Sequence, residues 1–454
     1  MKPVVPVAVL SAFCLCHGVE AQNTTSLSNP LLNQIVLEGA PSQNIFFNNQ
    51  TENPTTGTYQ PIQPINTNPN PGGPLAAPTP PPANELVPSE KKNVIEEATA
   101  KLWRLIFTIG AGVFYDDNIF ISHTDRKADT VFTLDGGFAF EIGDYRQQVD
   151  NYLIAKYLVT GYLFTRNTGQ DSADQDAVLR DQFRFSNFTF QNQVNFDYLN
   201  GSDRTVGTFV TRYLLDGSFK LLYDVSPKTQ LFAQFEQISS IYRAELSSYE
   251  YIGRLGMDYS ITPKIKLGFQ GVVGDIVQQN GPSGLYGQGQ LRAAYQYTEK
   301  LTFRGAAGFE VTSYSNSDLI KVTPVFELGA DYRPFVDTTF SLTAFRKIFA
   351  SPLYVGQYFT GTGVNFTVDQ KFLQRITAEI TVGYEHDSYN STGGSGSVNI
   401  GRTDNYVYVR PSITYNFRQW LSATVYYEYS RNSSTLSPQS FYDNRVGGQI
   451  SFTF

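Results

Sequence analysis

The chain has little of what catalysts and helical membrane proteins are built from. Its 454 residues include two cysteines, three histidines, two methionines and two tryptophans. Cys14 and Cys16 are the only thiols, and both lie in the opening segment MKPVVPVAVLSAFCLCHGVEAQ. That segment has one lysine, an apolar run and then Val19-Glu20-Ala21, small residues in the pattern of a secretory cleavage site. Residues 1–21 therefore read as a signal peptide. The run is too short to cross a bilayer as an anchor. Bulky Phe13 and Leu15 speak against lipid attachment at either cysteine. Removing the segment leaves no cysteine, which excludes disulfides, zinc–thiolate sites and thiol nucleophiles.

Charge is also scarce. Charged residues make up 17% of the chain, below the usual quarter, and the net charge is −7, so nucleic acid is not a partner. Long hydrophobic runs are missing and mean hydropathy is negative, which excludes a helical membrane bundle. Aromatic residues, in contrast, reach 14%, with 29 Tyr and 34 Phe. That abundance suits sheets and interfacial aromatic belts.

Residues 22–87 are rich in Pro, Asn, Thr and Gly, with too few apolar positions for a core. They read as a disordered periplasmic segment, or as a peptide that enters a lumen or binds a periplasmic partner. Over 88–104, Ser89 is a candidate N-cap, and Val94, Ile95, Ala98 and Leu102 have helical spacing, which predicts one short helix.

From 105 to 454 the period is two. In LTFRGAAGFEV, Leu301, Phe303, Ala307, Phe309 and Val311 alternate with Thr302, Arg304 and Glu310. QRITAEITVGYE and VYVRPSITYNF repeat the pattern. A soluble sandwich also alternates, with a dry interior. A transmembrane barrel inverts this, with lipid outside and a wet lumen. Strands of about 10–15 residues, many Arg and Glu on the polar face and alternating short and long turns favour the barrel. Short turns are expected at SPKT near 226, TPK near 263, TEK near 299, RPFVD near 335, DQK near 370 and FRQW near 418. Others are expected at GDYRQQ near 145 and at Gln191-Asn192. The fold class is thus all-β: an antiparallel transmembrane barrel of about 18 strands, or 16 if 177–225 is over-split. Both termini lie on one side, expected to be the periplasmic side of a bacterial outer membrane. The closing stretch RVGGQISFTF alternates to the last residue, and Ile450, Phe452 and Phe454 resemble the C-terminal signal read by the outer-membrane assembly machinery.

The run GVFYDDNIFISHTDRKADTVFTLDGGFAFEIGDYRQQVDNY adds a family resemblance. Tyr115, Asp116, Asn118, Ile119 and Phe120, followed by a polar loop and an alternating strand, resemble the outer-membrane β-barrel porin family often associated with exopolysaccharide loci in Gram-negative bacteria. In layout the resemblance covers about 105–454. It implies a barrel for passage of solutes, without defining the molecule carried.

Candidate chemistry is sparse. His123 and His386 would serve a Ser–His site only with a nucleophile nearby, and the reading is solvated loop residues. YDDN and DSADQD are acidic, but they lack the spacing of a calcium loop, and no metal or cofactor is expected. Alternation points Arg254, Arg292, Arg304, Arg375, Arg410 and Arg445 into the lumen, with Glu310, Glu327, Asp331, Glu379, Glu385 and Glu428. These form either a salt-bridge network that supports the wall or a field that selects solutes. The leading function is a passive channel for small hydrophilic solutes or polysaccharide. The alternative is a closed anchoring barrel that holds a periplasmic partner through residues 22–87. Expected surroundings are outer-membrane lipid and lipopolysaccharide.

Overall fold

The computed structural model describes residues 103–454, except 146–149, 316, 319, 374 and 393–399. The signal peptide and the Pro-rich segment lie outside the described residues, as does the expected helix apart from Trp103 and Arg104, which belong to the first strand. The remaining chain forms eighteen strands: β1 (Trp103–Asp116), β2 (Asp129–Gly143), β3 (Tyr152–Phe164), β4 (Ser172–Phe185), β5 (Phe188–Asp203), β6 (Thr208–Ser226), β7 (Thr229–Tyr242), β8 (Ser248–Thr262) and β9 (Ile265–Gln278), then β10 (Ser283–Thr298), β11 (Leu301–Tyr314), β12 (Ile320–Phe335), β13 (Thr338–Ala350), β14 (Gln357–Phe372), β15 (Ile376–Ser391), β16 (Arg402–Arg418), β17 (Leu421–Ser434) and β18 (Phe441–Thr453).

Each strand pairs antiparallel with its sequence neighbours, and β1 pairs with β18, so the sheet closes on itself. The closing ladder runs from Thr108↔Thr453 to Asp116↔Arg445. It is extended by two bonds between Phe107 and Phe454, at 3.1 and 2.9 Å. The last residue is therefore part of the wall. Sixteen strands are excluded. The one misplaced turn is that expected at Gln191-Asn192. The chain turns at Ser186-Asn187, where Ser186 has a positive φ, and Gln191 and Asn192 continue β5. The turn expected at DQK falls slightly later, between the end of β14 at Phe372 and the start of β15 at Ile376.

The exterior is apolar. Leu134, Leu163, Leu255, Val273, Leu285 and Leu291 point outward and are exposed. Near the short turns the exposed residues become aromatic: Trp103, Phe185, Tyr223, Tyr259, Tyr297, Phe335, Phe372, Phe417, Trp420 and Phe454. Tyr115, Tyr251, Tyr384, Tyr427 and Tyr442 mark the opposite rim. An aliphatic band between two aromatic girdles is what a lipid bilayer demands of a barrel wall. The buried list is the converse, dominated by Asp, Glu, Arg, Thr and Gln. A soluble protein would place these two sets the other way round.

Two hairpins leave the cylinder at the end that carries the longer loops. In β5 the pairing with β4 stops at Gln175↔Tyr198, while β5 and β6 stay paired to Asp203↔Thr208. In β13 the pairing with β12 stops at Phe326↔Arg346, while β13 and β14 continue to Ala350↔Tyr358. Both hairpin ends fold inward.

Candidate functional site: a charged lumen crossed by folded-in loops

The lumen wall is a lattice of ion pairs between nearby strands. Arg254 on β8 pairs with Glu236 on β7, and Arg304 on β11 with Asp331 on β12. Arg410 on β16 faces Glu428 on β17 at 3.8 Å. Arg292 on β10 reaches two strands back to Asp258 on β8, with both carboxylate oxygens accepting at 3.0 Å. It also donates to Gln270 Oε1 at 2.8 Å and lies over the Phe232 ring. A planar fork that meets both oxygens of a carboxylate is the strongest geometry an arginine has. Glu310 accepts from Gln288 at 2.7 Å and Thr312 at 2.7 Å. Arg445 donates to Asp116 Oδ2 at 2.6 Å across the β1–β18 closure. Glu327, Glu379 and Glu385 also have lumen parity. Arg375 does not belong to this set. It lies in the β14–β15 turn, exposed, because the strand restarts only at Ile376.

The residues Tyr115 to Phe120 have a structural explanation. Asp116 accepts from Asn118 N at 2.7 Å and so turns the chain as it leaves β1. The Asn118 amide donates to Ser122 O and Tyr442 O and accepts from Ser122 N. Those bonds fold the β1–β2 loop back into the lumen. Ile119 is buried there with Phe114, Val131, Tyr162 and Tyr426, and Phe120 meets the Phe209 ring edge-on at 6.1 Å. Ile121 packs on Tyr406 and Phe441 with φ 46, a conformation a β-branched residue adopts only under constraint. Tyr115 points to the exterior.

The end of the β5–β6 hairpin crosses the barrel. Arg204 reaches Asp387 at 2.7 Å and Glu385 at 2.6 Å, both on β15, half the ring from β6. Arg402 on β16 returns the contact by donating to Thr205 O at 2.8 Å. Asp203 anchors the near end. It pairs with Arg212 and accepts from Thr205 N and Tyr242 OH. Gly207, at φ 81, makes the turn, where a side chain would collide with Gln439. The result is a strap tied at both walls.

The β13–β14 hairpin is held by a second set. Gln278, almost fully buried on β9, donates to Ser351 O at 2.7 Å and Tyr354 O at 2.9 Å, and accepts from Gly356 N at 2.7 Å. Lys347 reaches Glu250 on β8 at 2.8 Å. Sequence reasoning did not single out Arg204, Asp387, Arg402 or Gln278. No period-two pattern marks a residue that bonds across the ring.

The two histidines have separate partners, and His386 lies in β15 and not in a loop. His123 donates to Ser440 O at 3.0 Å, and His386 contacts Asn405 Oδ1 at 3.0 Å. Among the described residues no group of three or more His, Cys, Asp or Glu could hold a metal. The aspartates of YDDN are engaged: Asp116 with Arg445, Asp117 with Asn444 and Arg126. In DSADQD, Asp171 accepts from Phe164 N, while Asp174 and Asp176 are buried on the lumen side of β4.

No family model matches the chain, and no curated protein matches it. Among the solved structures to which the chain is similar are the outer membrane protein OpdK, OccAB4 and the siderophore receptor PirA. For OpdK of Pseudomonas aeruginosa identity is 12% and the TM-score 0.39, with 77% of this chain and 98% of that one covered. For OccAB4 of Acinetobacter baumannii identity is 11% and the TM-score 0.40, with 77% and 98% covered. For the siderophore receptor PirA of Pseudomonas aeruginosa identity is 8% and the TM-score 0.36, with 77% and 80% covered. Likenesses this distant say nothing of what passes through the barrel.

Proposed function

We propose that this protein is an outer-membrane channel for passive passage of small hydrophilic solutes. The observation that carries the reading is the inversion of polarity: a closed eighteen-strand wall, apolar outside, with its charges facing inward. Barrels of 16–18 strands are wide enough to hold water. Positive and negative groups alternate around the wall, so the field offers hydrogen bonds to a hydrated solute without strong preference for one sign. The strap and the β13–β14 hairpin narrow the end with the longer loops, which sets an upper size for the solute. The sequence resemblance to barrels of exopolysaccharide loci extends the reading to a saccharide chain as cargo. Ile450, Phe452 and Phe454, exposed on the final strand, would be read by the assembly machinery, with both termini periplasmic.

The test is single-channel conductance of the refolded mature chain in a planar bilayer, beside a version lacking residues 22–100. Steady conductance from both supports the channel and makes the N-terminal segment dispensable. Conductance only after truncation makes that segment a plug. Silence from both, with the barrel folded, refutes the channel and leaves the anchoring barrel, its lumen shut by strap and hairpin and its partner held by residues 22–87.

A further inference from the structure

The wall has one long seam. β12 runs on to Ile320 at the loop end, paired with β11 as far as Ser313↔Ile320. Its pairing with β13 ends at Phe326↔Arg346. Ile320–Val325 therefore have no partner strand on that side. Six residues of strand amount to roughly 20 Å of unpaired edge. Pro324 lies within it, a residue that suits an edge because it has no N–H to give a ladder.

The partner has moved inside. Along β13 and β14, Ile348, Ala350 and Tyr358 have the parity of lipid-facing residues. They are instead buried against Ile238, Ile252, Val272, Ile276, Tyr286 and Tyr314, inward residues of β7–β11. This is the largest apolar cluster of buried residues among those described in the lumen, and it adjoins the seam. Two cationic side chains stand at the seam. Lys321 has lumen parity and donates to Thr360 Oγ1 at 3.4 Å, and Arg346 has lipid parity and donates to Thr362 Oγ1 at 2.8 Å. Two buried polar atoms beside the seam, Thr323 Oγ1 and Arg346 Nε, lack a hydrogen-bond partner. Outside, Ile320 and Val322 are exposed to lipid.

We infer that the β12–β13 seam is a lateral portal for an anionic amphiphile, a hydrocarbon tail with a carboxylate head. The tail passes from the apolar cluster to the bilayer between the unpaired edges. Lys321 and Arg346, both at the seam, compensate the head as it passes, so it is never left uncompensated in an apolar setting. The inference rests on the barrel being membrane-inserted. It does not require that hydrophilic solutes pass along the axis.

The test uses dodecanoate carrying a terminal dansyl group and vesicles that contain the full mature chain. Extending the register past Phe326↔Arg346 would bring Pro324 opposite Ile348, so Pro324→Cys with Ile348→Cys would zip the seam on oxidation. Expected is probe transfer into the bilayer with the thiols reduced, falling at least tenfold on oxidation and returning with reductant. Equal transfer in both states, with the crosslink complete, overturns the portal. Where the thiols stay free, Lys321→Gln with Arg346→Gln decides. Transfer of the dodecanoate falls about tenfold while that of dodecyl maltoside is unchanged, and equal dodecanoate transfer by variant and native protein overturns the portal. Single-channel conductance of the same preparations reports separately on axial passage.

Discussion

Arg204 is the residue on which the strap depends, and its removal has a calculable consequence. The guanidinium is buried, lies over the Tyr406 ring, and serves two carboxylates on the opposite wall. Asp387 is fully buried and Glu385 nearly so. Arg204→Met would keep the bulk and leave both carboxylates facing each other without a cation. Breaking a buried pair from one side costs about 3–5 kcal/mol, mostly through the charge left behind. The assay is urea unfolding of the barrel in detergent, followed by fluorescence of the two tryptophans, Trp103 and Trp420. Both sit at the short-turn end, away from the substitution. The same reasoning says that the loss comes from uncompensated charge and not from the missing contact. Arg204→Met combined with Glu385→Gln and Asp387→Asn should then recover stability to within about 1 kcal/mol of the native chain. A triple variant as unstable as the single one refutes this account. In bilayers, the single variant should also open to a larger or noisier conductance, because the strap is released at one end.

Three further perturbations test other parts of the construction. Asn118→Ala removes three bonds that fold the β1–β2 loop inward, and should lower stability by about 1–3 kcal/mol and make the loop a protease site. Unchanged proteolysis would show that Ile119 and Ile121 hold the loop without it. Gly308→Ala would place a Cβ 1.9 Å from the Gly289 carbonyl, within the wall between β10 and β11, so the refolded fraction of heat-modifiable barrel should drop well below that of a neighbouring Ala306→Gly control. Phe454→Ala should reduce the amount of barrel inserted by cells while leaving refolding in detergent nearly intact, and equal losses in both would assign Phe454 to closure of the β1–β18 ladder alone.

The strand number, the even count and the closure on β1 were legible because one residue pattern, apolar out and polar in, repeats along nearly every strand. Turn chemistry then cut the pattern into hairpins. It failed where the signal was weakest. Gln191 and Asn192 are consecutive polar residues of a strand, Gln191 on the lumen face and Asn192 on the other, and their composition is that of a turn, whereas the real turn at Ser186-Asn187 sits between Phe185 and Phe188, which look like strand core. Arg375 was misplaced because alternation was carried one residue ahead of the start of β15.

The folded-in hairpins were not legible, and the reason is physical. Ile348, Ala350 and Tyr358 are as well suited to lipid as to the inner cluster they occupy, because an apolar side chain does not record which apolar neighbour it meets. What distinguishes the two placements is polar and distant in sequence: Gln278 amide bonds to the chain at 351–356, and the Lys347–Glu250 pair. The same holds for the strap, where Arg204 meets residues more than 180 positions away. A period-two sequence therefore specifies the cylinder through local repetition, while the contents of its lumen are specified by a few long-range polar contacts. Those contacts are also the ones that a solute, or a change of state, would have to break.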